Sequence, residues 1–298
     1  MKLAMNSSYF QRIMSTEEMA KLISEAGFGA VDYSLMAMVR PDYIYNGADY
    51  LSVAEETGRI LSSYNIPVVQ THTPFEFADF NAPFFMEATI RSIEASAALG
   101  AKIAVVHPLH HVEYAGHEEE IFQWNMDFYR SLIPICKSCG IKIGIENMFQ
   151  RDKKRGFIVH DTCSTVAEFC RYIDTLDSEY MVACLDVGHV SLPMQTMDAS
   201  DMIRILGHER LHALHIHDND YHDDRHVAPF SGNIDWYGVT KALGEIDYDG
   251  DFTYEVGFGK YAGCADRSLY PAVLRYLAQV GLHLVEQVNK NRPNKDNS

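Results

Sequence analysis

The chain has 298 residues, of which 25 are basic and 41 acidic, so its net charge at pH 7 is −16, and 47% of its residues are hydrophobic. This composition is typical of a folded acidic protein and argues against nucleic acid as a partner, because the net charge repels phosphate groups. Domains usually run to about 100–200 residues, but α/β barrels of roughly 250 residues form one unit. The length therefore fits one large domain or two small ones.

The N-terminal residues lack the apolar run of about 7–15 residues that a signal peptide needs. No part of the sequence reaches the roughly 18 uninterrupted apolar residues of a membrane span. We therefore expect a cytoplasmic protein without a membrane partner. The six cysteines are too few and too scattered for a disulfide scaffold, and we interpret them as reduced thiols.

Short runs rich in β-branched residues alternate with longer amphipathic stretches along the chain. The runs that predict strands are residues 3–6, 30–34, 67–71, 102–107, 142–147, 182–187, 213–217 and 252–256. Several of them are apolar at almost every position, which is typical of parallel strands that are buried on both faces.

A helical pattern follows each predicted strand. The pairs Ser15/Glu18 and Thr165/Glu168 fit the capping box, in which side chains satisfy the first free N–H groups of a helix. Residues 86–99 carry apolar side chains at helical spacing. These alternating elements predict an α/β fold.

Eight β/α repeats in one domain predict a (β/α)8 TIM barrel, which we expect over residues 1–288. The alternative is an open doubly wound sheet, which usually carries a glycine-rich phosphate loop, and the sequence contains no such loop. Residues 289–298 are polar and are expected to form a disordered tail.

Ionisable residues stand at the carboxyl ends of most predicted strands, where barrels of this kind place their functional groups. In chain order they are His72, His107, Glu146, Asp186 with His189 beyond it, His215 and Glu255. Successive members are about one β/α repeat apart, so we predict that they form one ring at the mouth of the barrel. Isolated carboxylates are costly in such a place, and a divalent cation would compensate their charge.

Glu146, Asp186, His215 and Glu255 form an oxygen-rich set of three carboxylates and one imidazole. Such a set favours Mn²⁺, with Mg²⁺ and Co²⁺ as alternatives, whereas additional imidazoles would favour Zn²⁺. Any one of these residues, taken alone, is more simply interpreted as a structural histidine or a surface acid than as a metal ligand. That interpretation would, however, have to hold at every one of the matching strand ends. We therefore predict one divalent metal ion per chain.

The predicted ring lies within a series of six short motifs, which are Val105-Val106-His107-Pro108, Gly144-Ile145-Glu146-Asn147, Leu185-Asp186-Val187-Gly188-His189, His215-Ile216-His217-Asp218-Asn219, Asp224-Arg225-His226 and Gly232-Asn233-Ile234-Asp235-Trp236. Together they resemble the motifs of the xylose isomerase-like TIM barrel superfamily and, more narrowly, of its sugar (phosphate) isomerase/epimerase branch. The resemblance covers essentially the whole chain, and the motifs come in the family's order.

The resemblance implies one metal held as in the ketose 3-epimerases, at the positions that match here Glu146, Asp186, His215 and Glu255. The substrate-orienting histidine of that family matches His189. Its arginine matches Arg225 less closely, because the loop before Arg225 is longer.

The implied function is isomerisation or epimerisation of a sugar, sugar phosphate or keto acid through a metal-stabilised enediolate. Glu146 and Glu255 would serve as the acid–base pair. Further candidates for substrate binding are His72, His107, His217 and His226; His217 is alternatively a structural imidazole on the outer face of its strand. Asp224 and His226 are candidates for a second metal site. The expected partner is a small-molecule substrate. A homodimer or homotetramer is expected because barrel enzymes of this size often form such oligomers.

A rival function comes from the endonuclease IV type of the same superfamily, which cleaves abasic DNA with a three-zinc cluster. Positions matching its nine ligands are His72, His107, Glu146, Asp186, His189, His215, Asp224, His226 and Glu255. Against this rival, residues 73–80 are acidic and aromatic where a loop that grips DNA needs Lys and Arg. An inosose dehydratase-like lyase on the same scaffold is a third alternative.

A basic stretch follows the fifth predicted strand, at Arg151, Lys153, Lys154 and Arg155. It could bind a substrate phosphate or carboxylate, but Lys/Arg runs usually lie at the surface. We favour a solvated turn.

Overall fold

The computed structural model describes residues 1–40, 42–75, 83–110, 112–263 and 266–293. Its strands are β1 (Leu3–Asn6), β2 (Ala30–Ser34), β3 (Val68–His72), β4 (Ile103–Val105), β5 (Lys142–Glu146), β6 (Phe149–Arg151), β7 (Ile158–His160), β8 (Met181–Asp186), β9 (Leu211–His215) and β10 (Phe252–Tyr254). Eight of them form one sheet in the order β10-β1-β2-β3-β4-β5-β8-β9, whereas β6 and β7 pair with each other. All neighbours in the large sheet are parallel.

The helices are α1 (Thr16–Ala26), α2 (Tyr50–Ser63), α3 (Pro83–Leu99), α4 (Glu118–Cys139), α5 (Val166–Leu176), α6 (Val187–Val190), α7 (Ala199–Arg210), α8 (Trp236–Glu245), α9 (Phe258–Ala262) and α10 (Tyr270–Lys290). A helix follows every strand of the large sheet. Short 3-10 turns occupy Phe10–Arg12, Met36–Val39, Ile44–Asn46 and Arg267–Leu269. Among the described residues, no helix combines the length and the apolar character needed to cross a membrane.

The sheet closes into a barrel between β9 and β10. The N–H group of Ile216 donates to the carbonyl of Thr253 at 2.8 Å, and the N–H group of Glu255 donates to the carbonyl of Ile216 at 3.0 Å. The predicted (β/α)8 barrel is therefore confirmed. Since these two bonds lie just beyond the strand ends, barrel closure directly sets the positions of His215 and Glu255.

Two details of the elements differ from the predictions. The first predicted capping box forms, because the Glu18 carboxylate accepts the N–H of Ser15 at 3.0 Å. In the second, the Thr165 side chain accepts the N–H of Glu168, but the Glu168 carboxylate accepts the N–H of Cys163 at 2.9 Å instead of that of Thr165. Only one of the two hydrogen bonds of the second box therefore forms. The β6–β7 hairpin was not predicted, because its strands have three residues each and enclose a charged turn.

The C-terminal segment is packed further than we expected. Helix α10 runs to Lys290, and the guanidinium group of Arg292 donates to the carboxylate of Asp247 and to the carbonyl of Tyr248. The boundary at residue 289 was therefore placed too early. Residues 294–298 lie outside the described part of the chain.

Small side chains lie beneath part of the barrel mouth. Val105, Cys184 and Ala213 form a cluster separate from the main core. Because side chains two positions apart in a strand point the same way, Cys184 lies below Asp186 and Ala213 lies below His215. This cluster underlies the polar ring at those two residues.

The packing of α2 on α3 depends on a glycine. A Cβ atom at Gly58 would come within 2.5 Å of the carbonyl oxygen of Leu99. Helix propensity alone would favour Gly58→Ala by about 1 kcal/mol, but we expect the clash with backbone to destabilise the variant by about 1–3 kcal/mol. Urea unfolding measures this, with Ser62→Ala at an exposed site of the same helix as the control. A Gly58→Ala protein as stable as the control would contradict the close packing.

Candidate active site and metal centre

The structure brings all but one of the predicted site residues together at the carboxyl end of the barrel. A cavity of about 500 Å³ opens there. The predicted residues that line it are His72, His107, Glu146, His189, Asp224, His226 and Glu255. Asp186, His215 and His217 are fully buried beside these residues and lie outside the cavity lining.

The predicted metal-binding residues form a compact group. Glu146, Asp186, His215 and Glu255 each offer a ligand atom, and these atoms all lie within 4.8 Å of one another. Two atoms that bind one cation at about 2.1 Å are at most about 4.2 Å apart. Shifts of about half an ångström would therefore bring all four ligand atoms within reach of one ion.

Two glutamates converge on one imidazole nitrogen. Nδ1 of His215 lies 3.2 Å from Oε2 of Glu146 and 3.4 Å from Oε2 of Glu255. Glu146 is the last residue of β5 and Glu255 is the first residue after β10, so two different strands supply the two carboxylates.

Unsatisfied polar atoms show that the group suits a cation. Among the described residues, Oε2 of Glu146 and both ring nitrogens of His215 are buried without a hydrogen-bond partner. Oε2 of Glu146 lies 2.9 Å from Nε2 of His107, but this contact lacks hydrogen-bond geometry. Leaving such atoms unpaired is costly. A divalent ion would satisfy them, so the residues fit the predicted metal.

The pKa values of the two glutamates shift in opposite directions. Burial opposes ionisation of Glu146, but His215 and His107 outweigh it and hold its pKa well below the usual value. Burial raises the pKa of Glu255 to about 8, although His215 and His226 oppose the rise. The pair therefore differs in its affinity for a proton, and a cation in the ring would lower both pKa values.

Asp32 supports the ring and was missed in the sequence. Its Oδ2 lies 3.8 Å from Nε2 of His215 and accepts a hydrogen bond from Asn6 at 3.0 Å. Carboxylates that face the far nitrogen of a metal-binding histidine orient its ring. The signal is a charged residue in the middle of the short strand β2, whereas the predicted ring took only residues at strand ends.

A second group of candidate ligands lies beside the first and consists of His189, His217, Asp224 and His226. Nε2 of His226 donates to Oδ2 of Asp224 at 2.9 Å, and Nε2 of His217 lies 3.5 Å from Oδ1 of Asp224. The rings of His217 and His226 stack with centroids 3.9 Å apart. The predicted second metal site, Asp224 with His226, thus has two further imidazoles near it.

A third group consists of His72, His107 and Glu146. Nε2 of His107 lies 3.1 Å from Nε2 of His72 and 2.9 Å from Oε2 of Glu146. Burial, aided by His107 and His215, lowers the pKa of His72 to about 3, so its ring is neutral at pH 7. Glu146 belongs to this group and to the first, so these two candidate ligand groups are joined through it.

His217 was predicted either to bind substrate or to lie on the outer face of its strand, and the structure places it elsewhere. Its Nε2 lies 3.1 Å and 3.2 Å from the two carboxylate oxygens of Asp186, so it faces into the barrel rather than outward. It also lies outside the cavity lining. Its ring fills the space where a Cβ atom of Gly188 would stand, 1.9 Å from its Cε1. His217 therefore holds Asp186 in position.

Asn147 joins the ends of β5 and β8 and orients His189. Its side chain accepts the N–H of Asp186 at 2.7 Å and donates to the carbonyl of Asp186 at 3.0 Å. Its own carbonyl accepts a hydrogen bond from Nδ1 of His189 at 2.7 Å. The opposite nitrogen of His189, Nε2, is then directed towards Asp186 and Asp224, at 3.8 Å and 4.0 Å.

Arg225 is the predicted residue that does not reach the site. Its side chain is 53% exposed and pairs with Asp220 at 2.7 Å. The longer loop before it provides this partner and points Asp224 and His226 into the cavity instead. The basic stretch behaves similarly: Arg151 pairs with Asp223 at 2.9 Å, and the stretch lies outside the cavity lining.

The loop that carries Asp224 and His226 is organised by Asp218, which is fully buried. Its carboxylate accepts hydrogen bonds from the N–H groups of Gly232 and Ile234 at 3.0 Å and 3.2 Å. It also accepts one from the indole N–H of Trp236 at 2.9 Å. The motif residues 218 and 232–236 are therefore structural.

Two further residues, Phe75 and His110, lie at the rim of the cavity. Phe75 lines the cavity and stacks on His107 with ring centroids 4.4 Å apart, but residues 76–82 lie outside the described residues. His110 also lines the cavity and was not predicted, because it lies in a loop three residues past His107 rather than at a strand end.

The family model of the xylose isomerase-like TIM barrel matches residues 20–279. The chain therefore belongs to this family. It is 28% identical over 267 residues to an uncharacterized protein of Methanocaldococcus jannaschii, and the match covers 86% of this chain and 83% of that protein.

Solved structures share the fold. A D-tagatose 3-epimerase-like protein has a TM-score of 0.71 at 21% identity, and the match covers 97% of this chain and 99% of that one. The IolI protein, solved with a bound zinc atom, has a TM-score of 0.72 at 17% identity, and the match covers 98% of this chain and 99% of that one. At these identities the likeness establishes the barrel fold.

The contact between Gly188 and His217 can be tested by adding one methyl group. We expect Gly188→Ala to displace His217, disturb Asp186 and weaken Mn²⁺ binding by about 10- to 100-fold, the usual effect of losing a residue that supports a metal ligand. Isothermal titration with Mn²⁺ measures this. Gly29→Ala is the matched control, because the nearest atom to its new Cβ would be 3.8 Å away. Equal affinity in the two variants would contradict the role of His217.

Proposed function

We propose that the protein is a divalent-metal-dependent isomerase or epimerase of sugars. The observation that carries the proposal is the convergence of Glu146 and Glu255 on Nδ1 of His215, at 3.2 Å and 3.4 Å, at a cavity of about 500 Å³. That volume falls within the usual range for small-molecule sites. The family membership and the named activity of the tagatose 3-epimerase-like neighbour support the same reaction class.

Moving a proton beside a carbonyl group requires a base at the C–H bond and an acid that returns the proton. Glu146, at the end of β5, and Glu255, just after β10, both line the cavity. One of them removes the proton and the other returns it. Return to the opposite face of the same carbon gives an epimer, and return to the neighbouring carbon gives the aldose or ketose isomer.

The residues Glu146, Asp186, His215 and Glu255 would hold the metal, with Mn²⁺ favoured because three of the four ligands are carboxylates. A bound divalent cation would polarise the substrate carbonyl and lower the pKa of the adjacent C–H bond. His189, with its Nδ1 committed to Asn147, orients substrate oxygens through Nε2. The neutral ring of His72, which also lines the cavity, serves the same purpose.

The charge of the cavity favours a substrate without a phosphate group. Among the described residues that line the cavity, there is no Lys or Arg. The sequence of residues 76–82, which lie outside the described part, contains none either. Arg151 and Arg225 pair with acids outside the cavity lining. An uncharged ketose therefore fits this site better than a sugar phosphate.

A second candidate function is metal-dependent phosphodiester cleavage at abasic DNA. The observation in its favour is that every position matching a ligand of the three-zinc nucleases falls into one of three contiguous groups, two of which share Glu146. The net charge of −16 and the lack of Lys and Arg in the described lining oppose DNA binding. We therefore rank this function second.

Removal of either carboxylate should greatly reduce turnover. We expect Glu146→Gln and Glu255→Gln to reduce kcat by about 10²–10⁴-fold, the usual contribution of an acid–base residue. Conversion of D-fructose, D-psicose, D-tagatose and L-ribulose with added Mn²⁺, followed by chromatography, measures this. Glu120→Gln, at an exposed position of α4, is the control. Glutamine variants as active as this control would exclude the proposed pair.

Metal content separates the two candidate functions. We expect about one divalent ion per chain by elemental analysis, because the first ligand group is the most oxygen-rich and best suited to a single hard cation. Three zinc ions per chain, together with cleavage of an oligonucleotide that contains an abasic site, would replace the sugar isomerase by the nuclease.

A further inference from the structure

A histidine outside the ligand groups lines the same cavity. His110 lies in the loop after β4, and its Nδ1 donates a hydrogen bond to Oδ2 of Asp161 at 2.9 Å. The His110 side chain is 26% exposed, whereas that of Asp161 is completely buried. A ring that reaches the cavity is thus backed by a buried carboxylate.

Asp161 is itself held rigidly. It follows β7, and its other oxygen, Oδ1, accepts the N–H of Thr162 at 2.7 Å and the hydroxyl of Thr162 at 3.3 Å. The carbonyl of Thr162 accepts the N–H of Met148, at 2.9 Å, from the loop after β5. Both carboxylate oxygens of Asp161 are therefore occupied, and its orientation is set before any ligand binds.

The backbone around His110 is also clamped. The buried amide of Asn125 on α4 accepts the N–H of Leu109 at 2.7 Å and donates to the carbonyl of Leu109 at 2.9 Å. Gln150 on β6 holds the far side of the loop, through the carbonyl of Val112 and the N–H of Tyr114, each at 3.0 Å. Such support from surrounding side chains is what keeps a functional side chain in a productive geometry.

The chemistry of the pair favours a substrate contact. A carboxylate that accepts from Nδ1 keeps the proton on that nitrogen, so the opposite nitrogen, Nε2, exchanges hydrogen bonds with other groups. His110 is absent from the candidate metal-ligand groups found among the described residues. It lies on the wall formed by the loops after β4 and β5, with Met148 and Phe149 nearby in the lining.

We propose that His110 binds a hydroxyl group of the substrate and that Asp161 is its positioning residue. The inference rests on the proposed function and deepens it: the metal ring and the two glutamates act at the carbonyl end of the sugar, and His110 reads the configuration of a carbon further along the chain. His110 thereby contributes to the choice among ketoses.

The test compares His110→Gln and Asp161→Asn with His117→Gln and Asp127→Asn, two exposed positions at and within α4. On the ketose that the wild type converts best, we expect His110→Gln to raise KM by about 3- to 10-fold, the effect of losing one hydrogen bond. Both the kcat value and the Mn²⁺ content should stay close to those of the controls. Asp161→Asn should raise KM in the same direction.

A spectroscopic readout isolates the positioning role. In ¹⁵N spectra of the wild-type protein, His110 should carry its proton on Nδ1, and Asp161→Asn should shift that proton towards Nε2. Titration with the same ketose should move the Nε2 resonance of the wild type.

Three outcomes would overturn the inference, and the last of them would also overturn the proposed function. An active wild type whose KM matches that of His110→Gln overturns the inference alone. Loss of Mn²⁺ from His110→Gln shows a role in the metal centre instead. A wild type that neither converts nor binds any of the four ketoses overturns the proposed function together with the inference.

Discussion

The main physical constraint on this structure is the unfavourable free energy of burying several carboxylates at one end of the barrel. Glu146, Asp186 and Asp32 are almost completely buried, and Glu255 stands beside them. Charges in such a place are unstable unless they are paired and hydrogen-bonded. Two kinds of contact around the cavity stabilise these carboxylates. Imidazole rings lie against them, as His215 does against Glu146, and backbone N–H groups donate to them, as that of His189 does to Asp186.

The barrel and the site are assembled by the same contacts. Asn147 ties β5 to β8 while it orients His189, and the bonds that close β9 on β10 also set Glu255 beside His215. A cation bound in the ring would join the ends of β5, β8, β9 and β10. Because a ligand that binds only the folded state stabilises it, metal binding and closure of the barrel should be linked.

Much of this arrangement could be predicted because a parallel barrel brings every strand's carboxyl end to one rim. Ionisable residues at strand ends therefore had to meet. Asp32 was hidden inside a strand, and His110 lay in a loop, so neither fitted that rule. The exposure of Arg225 depends on an ion pair with Asp220, and the packing of Arg292 depends on Asp247. Such contacts follow from the folded geometry rather than from local pattern.

The most direct measurement follows hydrogen at the reacting carbon. The Mn²⁺-loaded protein would be incubated with D-fructose, D-psicose, D-tagatose or L-ribulose in D₂O, and proton NMR would monitor the C–H bond beside the carbonyl. If Glu146 and Glu255 move a proton there, one of these ketoses should incorporate deuterium at that carbon while its epimer or isomer forms. Complete retention of carbon-bound protium in all four sugars would contradict the acid–base pair and the reaction class assigned to the site.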